Sequence, residues 1–304
     1  MSTVIALIWD FDKTLIPSYM QEPLFKRYGV TSEAFWSECN ARIREIAQSG
    51  LSVNEETYYL NHVLAYARPD RPFYGLNNAI LKELGQELVF YNGVLDFFKQ
   101  ITQLNEVPLY RDNDIKFENY IVSTGFKKMI EGSALAPYVK KIWGAEFLDT
   151  VNEQGQAHLH EVAYSLDNTT KTRALFEISK GVGIVKGNID VNTKMPAEQR
   201  RVQFKHCIYI ADGPSDVPAF SVINQYGGST LAVFPKGDKV AFKHIECLRK
   251  DNRVQMLAEA DYRPESTASM WIMNRIDELV EDIINTNRSK LNALGPGTPK
   301  HLSN

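Results

Sequence analysis

Val4-Ile5-Ala6-Leu7-Ile8-Trp9-Asp10-Phe11-Asp12-Lys13-Thr14-Leu15 is the stretch on which the fold class turns. Residues 3–9 are mostly apolar and rich in β-branched side chains, the pattern of a strand buried on both faces, as in a parallel sheet. The run stops at an acid. In extended backbone, side chains two apart point the same way, so Asp10 and Asp12 can share one face at the strand's exit. Ligands of open parallel sheets bind beyond those carboxyl ends. The run is far shorter than the ~20 residues a helix needs to cross a bilayer, and it lacks the basic flank and cleavage site of a signal peptide.

Outward from this strand, residues 17–91 read as helices only. Pro17 and Gly29 bracket the first. The second spans Ser32 to Gln48, with Gly50 as its stop. Ser52-Val53-Asn54-Glu55 reads as a capping box for a third helix carrying Tyr58, Tyr59, Val63 and Leu64, ended by Pro69. Asn78 to Leu88 is the fourth. After Gly93 the pattern changes. Val94–Leu104 is helical, Tyr120-Ile121-Val122 is a short strand ending at Ser123, and residues 142–164 read as strand, turn and strand around Asn152-Glu153-Gln154-Gly155. Lys171–Lys180 is helical and stops at Gly181. Cys207–Ala211 is a buried strand ending at Asp212, and Leu231–Phe234 is the next.

Strands alternating with helices imply a parallel sheet covered on both faces. The expectation is an α/β, Rossmann-like parallel core formed by residues 1–16 and 92–265, with an inserted all-helical cap at 17–91 and a C-terminal helix and tail at 266–304. Ile272, Ile276, Leu279, Val280 and Ile283 form a stripe at helical spacing, read as facing the core rather than a dimer seam. Leu294-Gly295-Pro296-Gly297-Thr298-Pro299 reads as a flexible tail. Two long polar connections, 105–118 and 181–205, are expected at the sheet edge opposite the strand exits.

Composition narrows the function classes. A formal charge of 34 − 37 = −3 argues against a basic nucleic-acid footprint. Cys39, Cys207 and Cys247 form no disulfide framework, so a reducing compartment such as the cytoplasm is expected. Neither nucleic acid nor a membrane is an expected partner.

Two strands end in acids, Asp10-Phe11-Asp12 and Asp212-Gly213-Pro214-Ser215-Asp216, and a third ends at Ser123-Thr124-Gly125. Carboxylates gathered at one edge repel unless a cation joins them. All the candidate ligands are oxygens, which suits a hard ion such as Mg²⁺. His158-Leu159-His160 lacks a third ligand nearby and reads as an exposed strand face. Taken singly, each piece has an ordinary explanation: acids after strands cap helices, Ser-Thr-Gly is turn chemistry, and most lysines are solvated. Their joint order is what is unusual.

That order resembles the haloacid dehalogenase superfamily, and most specifically its phosphatases. Asp10-Phe11-Asp12-Lys13-Thr14-Leu15 stands as the first motif and Ser123 with Thr124-Gly125 as the second. Lys171, within Thr169-Thr170-Lys171-Thr172-Arg173, best matches the third, with Lys180 and Lys186 close behind. Asp212-Gly213-Pro214-Ser215-Asp216 is the fourth. The likeness covers residues 1–16 and about 92–245, and the insertion at 17–91 falls where many members carry a helical cap.

The resemblance implies that Asp10 is the nucleophile, forming an aspartyl-phosphate, and that Asp12 is the general acid and base. It implies Mg²⁺ held by the Asp10 carboxylate, the Asp12 backbone carbonyl and Asp212. Ser123, Thr124 and Lys171 would bind phosphoryl oxygens, and Asp216, with Gly213 in its turn, would orient Lys171 or a water on the metal. Dehalogenases of the superfamily lack an acid two residues after the nucleophile, so Asp12 points to phosphoryl transfer. The sequence departs from phosphoserine phosphatases at Ser215, where those enzymes usually carry Asn. Their substrate-holding acid and arginine are also not recognisable among Glu22, Arg42, Arg44 and Arg68.

The expected function is Mg²⁺-dependent hydrolysis of a small soluble phosphomonoester. A phosphotransferase using the same intermediate and a non-catalytic metal- and phosphate-binding module are the alternatives. Tyr58, Tyr59, His62 and Arg42 are the candidates to line the space over the site.

Overall fold

The computed structural model describes residues 2–293. In chain order the elements are β1 (Thr3–Trp9), α1 (Glu22–Tyr28), α2 (Ser32–Gln48), α3 (Tyr58–Tyr66), α4 (Asn78–Leu84), α5 (Val94–Gln103), α6 (Pro108–Asp112), β2 (Ile115–Phe126), α7 (Lys127–Gly132), β3 (Lys141–Val151) and β4 (Ala157–Tyr164). They continue with α8 (Thr170–Lys180), β5 (Cys207–Ala211), α9 (Val217–Gln225), β6 (Ser229–Phe234), α10 (Lys239–Lys250), β7 (Met256–Glu259) and α11 (Thr267–Ala293). The strands form one sheet in the order β4-β3-β2-β1-β5-β6-β7. Every neighbouring pair is parallel except β3 with β4, a hairpin at the edge. This is a Rossmann-like α/β fold.

The parity of β1 explains the two layers. Ile5, Leu7 and Trp9 pack on one face with Phe97, Phe98, Ile272 and Ile276 of α5 and α11. Val4, Ala6 and Ile8 pack on the other with Ala174, Ile178, Ala219 and Phe220 of α8 and α9. Each fully buried large apolar side chain of this kind stabilises the fold by roughly 1.5–3 kcal/mol. The stripe Ile272, Ile276, Leu279, Val280 and Ile283 is buried, as a core-facing helix requires. No described helix is long and apolar enough to cross a membrane.

Register aligns the strand exits. Trp9 pairs with Ile121 on one side and Ile210 on the other, and the Asp10 N–H donates to the Ile210 carbonyl at 2.9 Å. Asp10 and Asp212 therefore leave the sheet at one edge, and Ser123, inside β2, lies two residues beyond Ile121 at the same edge. The opposite edge holds the connection after α8. Cys207, the first residue of β5, pairs with Ala6 midway along β1, and Arg201 bonds Glu118, the residue beside Ala6 on β2.

Four helices and no strand fill the insertion between β1 and α5. It is fastened to the β3–β4 hairpin: the Leu159 N–H donates to the Leu76 carbonyl at 2.8 Å, and the Asn77 side chain donates to the Ala157 carbonyl. α4 crosses α7 so closely that a Cβ on Gly132 would lie 1.8 Å from the Lys82 carbonyl oxygen.

Several local expectations need correction. The strand expected at 120–122 runs from Ile115 to Phe126, so the connection before it ends at 114. Its first half is hard to read because Lys116, Glu118 and Asn119 break the apolar run; Asn119 is buried but accepts a hydrogen bond from the Trp9 indole at 3.0 Å. Ser52 caps nothing: α3 starts at Tyr58, and the Asn54 side chain instead accepts from the Glu56 and Thr57 N–H groups in the turn before it. β7 and the helices α6, α7, α9 and α10 add to the elements read from the sequence. The tail expected at 294–299 lies outside the described residues.

Candidate active site

Asp10 is 5% exposed at the exit of β1, with both carboxylate oxygens held. The Lys171 Nζ donates to Oδ1 at 2.8 Å, and the Thr14 hydroxyl to Oδ2 at 3.0 Å. The same Lys171 ammonium donates to Asp216 Oδ1 at 2.8 Å. The Tyr209 hydroxyl donates to that oxygen too, while Ser215 donates to Asp216 Oδ2. Lys171 is 1% exposed and sits in the first turn of α8, which packs against the sheet through Ala174, Leu175 and Ile178. The competing lysines lie elsewhere. Lys180 donates to the Val191 and Thr193 carbonyls, and Lys186 is exposed.

The fourth motif turns sharply. Gly213 has φ +134°, a conformation an L side chain rarely adopts, and the Asp216 N–H donates back to its carbonyl at 2.9 Å. This turn returns Asp216 beneath Asp212, and single carboxylate oxygens of Asp10, Asp212 and Asp216 lie within 4.8 Å of one another. That all-oxygen set fits a hard divalent cation in donor type and spacing. Asp12 stands outside that cluster, half-buried, and its carboxylate accepts the Met20 N–H at 3.0 Å.

Electrostatics agrees with the crowding. Burial pushes the Asp10 carboxyl up to about 6 despite the opposing pull of Lys171. Burial, with Asp10 and Asp216 adding repulsion, pushes Asp212 up to about 7. Asp12 is raised well above the ordinary carboxylate range by burial and then by Asp10. Burial alone would lower the Lys171 ammonium, but Asp10 and Asp216 outweigh it and keep it charged.

Ser123 is 1% exposed, and its hydroxyl oxygen accepts the Gly125 N–H at 3.0 Å. Thr124 follows, and its carbonyl accepts from the Tyr59 hydroxyl of the insertion at 2.7 Å. A second tie runs from Asn54 to Asp167 at 2.9 Å, and a third from the Asn168 N–H to Glu56 at 2.7 Å, just before Lys171.

Between these ties is a cavity of about 680 Å³. Asp10, Asp12, Thr124 and Asp212 form its floor, and Gln21, Trp36, Asn40 and Tyr59 its walls, with Lys13 and Tyr19 near the entrance to the insertion. Of the four expected lining residues only Tyr59 is present. His62 is buried in the insertion's own core between Phe35 and Tyr66, and Arg42 is exposed and paired with Glu45. Glu22, Arg44 and Arg68 are exposed outside the cavity, and His160 lies on an exposed strand face. Sequence reading missed Thr14, Tyr209, Gln21, Trp36 and Asn40. Thr14 carries a usable signal, as a hydroxyl four residues after Asp10 in a tight turn; the others depend on packing.

The fold is a Rossmann-like α/β sheet, and Asp10, Ser123, Lys171 and Asp212 stand on it in the order by which the sequence resembles the haloacid dehalogenase superfamily. No family model matches the chain. The chain belongs to one family with an uncharacterized protein of Borreliella burgdorferi, 39% identical over 287 residues that cover 90% of this chain and 96% of that protein. Among solved structures it is similar to a HAD family hydrolase from Salmonella enterica serovar Typhi, with 13% identity, a TM-score of 0.48, and 84% and 67% of the two chains covered. It is also similar to a phosphoserine phosphatase solved as a phospho-aspartyl intermediate analogue, with 12% identity, a TM-score of 0.48, and 84% and 93% covered.

Proposed function

We propose that this chain is a Mg²⁺-dependent phosphomonoester hydrolase acting on a small soluble phosphorylated compound. The observation that carries the reading is the buried Lys171 ammonium shared at 2.8 Å between Asp216 and Asp10, the latter on the floor of the cavity beneath the insertion. A buried cation beside a carboxylate nucleophile offsets the charge of an incoming phosphoryl group.

In the proposed reaction Asp10 attacks phosphorus, the P–O ester bond breaks, and Asp12 gives its proton to the leaving oxygen. Asp12 then takes a proton from water as water attacks phosphorus, which frees phosphate and restores Asp10. The upward shift of Asp12, caused first by burial, is in the direction a proton donor requires. Thr14 and Lys171 orient the Asp10 carboxylate, and Ser123 and Thr124 are the proposed phosphate contacts. Asp10 and Asp212 are the carboxylates proposed to hold Mg²⁺ together with the Asp12 carbonyl, and Asp216 positions Lys171. The bound ion supplies charge stabilisation for the transferring phosphoryl group. Residues 17–91 act as a cap over a core of 1–16 and 92–265, excluding water and contacting the leaving group.

The test is phosphate release from a broad phosphomonoester panel, with Mg²⁺ and with chelator. Turnover lost with chelator and in Asp10→Asn is expected; full activity of Asp10→Asn would overturn the assignment.

A further inference from the structure

The cavity wall opposite the carboxylates has a composition of its own. Tyr19 and Trp36 have ring centroids 5.9 Å apart, and Trp36 and Tyr59 5.7 Å apart, each pair tilted by 48°. The three rings are in tilted rather than stacked contact, and all three line the cavity. Aromatic faces carry negative potential and attract cations.

Two polar atoms here lack partners. Gln21 is 3% exposed, and its Oε1 accepts no hydrogen bond. The Trp36 Nε1 is buried and donates none. An unmade hydrogen bond at a buried group costs roughly 1–3 kcal/mol, so a ligand that supplies the partner gains by it. The carbonyl oxygen of Gln21 needs a donor. The Trp36 N–H leaves one donor for an oxygen of the ligand or of a water it carries.

Charge sets the sign. Among the described residues lining the cavity, the insertion contributes two carboxylates, Glu55 and Glu56, and no cation. Glu56 is engaged by the Asn168 N–H, whereas Glu55 is exposed, with no hydrogen bond or ion pair to another described side chain. Lys13, from the core, is committed to Tyr19, with its ammonium 2.8 Å from the hydroxyl and 4.2 Å from the ring centroid. A leaving group bearing a carboxylate or a second phosphate would meet these two acids, against the one lining ammonium of Lys13, which is already engaged with Tyr19.

We infer that the cavity selects aminoalkyl phosphates, taking the protonated primary amine of the leaving group against the Tyr19–Trp36–Tyr59 wall, with Gln21 and Glu55 as its acceptors. The inference rests on the phosphatase reading above and names its substrate class. A quaternary ammonium would satisfy the rings but leave the Gln21 oxygen unpaired, so an amine with N–H donors is the better fit.

The test compares kcat/KM of the full chain with Mg²⁺ for 2-aminoethyl phosphate, its neutral counterpart 2-hydroxyethyl phosphate, the anionic phosphoglycolate and the quaternary phosphocholine. An aryl phosphate reports whether the enzyme turns over at all. The amino ester should exceed the hydroxyl ester by about tenfold, as expected when cation–π attraction and a charge-assisted hydrogen bond act together. Glu55→Gln and Gln21→Leu should each lower that ratio several-fold. Glu55 is exposed, so its variant keeps the test alive if the Gln21 variant misfolds. Equal rates for amino and hydroxyl esters, with the aryl phosphate hydrolysed, would overturn the substrate class and leave the phosphatase reading standing. A preference for phosphocholine would overturn the primary-amine assignment. No turnover of any ester by folded, Mg²⁺-supplied protein would overturn both readings.

Discussion

Lys171 stands 2.8 Å from Asp10, a residue 161 positions earlier, and 2.8 Å from Asp216, 45 positions later. All three are nearly sealed from water, so the ammonium is what allows two carboxylates to be buried side by side. The pairing is at once a stability element and the proposed phosphoryl-binding charge.

Lys171→Met should therefore be costly on both counts. Removing one partner of a buried ion cluster leaves uncompensated charge, worth roughly 3–5 kcal/mol of folding stability. Urea unfolding with and without the substitution measures this. A coupled site also predicts that Lys171→Met with Asp216→Asn loses less than the sum of the single variants. Strict additivity would mean that the two side chains do not act as a unit.

Asp12→Ala should slow turnover by roughly 10²–10⁴-fold, the range for a general acid and base, while leaving phosphate-analogue binding in place. Steady-state rates on an aryl phosphate, whose leaving group needs little protonation, should fall less than rates on an alkyl phosphate. A uniform loss on both would assign Asp12 to positioning rather than proton transfer.

The connection after α8 should be dispensable for chemistry, because it returns to the sheet edge opposite the strand exits. Replacing residues 183–200 by a short Gly/Ser linker should preserve turnover per folded molecule. Stability should drop, since Lys180 loses its Val191 and Thr193 acceptors. A folded variant without activity would show that this edge does reach the site.

His206 should contribute to acid sensitivity. It is 7% exposed, and burial, with Lys205 adding repulsion, lowers its pKa from 6.5 to about 4. The unfolded chain thus binds a proton that the folded chain refuses between those values. The associated stability is present above pH 6.5 and is lost as pH falls towards 4. Urea midpoints across that window should fall less steeply in His206→Gln than in the parent. Parallel slopes would remove His206 from the account.

How much of this was legible before folding differs by level. The β1 run and its two acids, the strand at Cys207–Ala211 and the Gly213 turn announce themselves, because buried strands and their exits leave short-range patterns in apolar and acidic residues. The order of elements follows, and with it the convergence of Asp10, Ser123 and Asp212 on one edge. Strand register adds what no pattern carries. Lys116, Glu118 and Asn119 obscured the first half of β2, since Asn119 is tolerated in the core because the Trp9 indole bonds it from 110 positions away and its own amide donates to the Tyr138 carbonyl.

The cavity wall belongs wholly to tertiary structure. His62 and Tyr59 lie on one short helix with equally suitable side chains, yet α3 turns His62 into the insertion's core and Tyr59 toward Thr124. Gln21 and Trp36 carry no signal until the helices close over the strand exits. Sequence alone determined a parallel α/β core with an acidic site at its carboxyl edge, because strand burial and charge repulsion are local and general. Which lysine enters that site, and which side chains face the substrate, was decided by packing between segments a hundred residues apart, where a helix's rotation of a fraction of a turn exchanges a lining residue for a buried one.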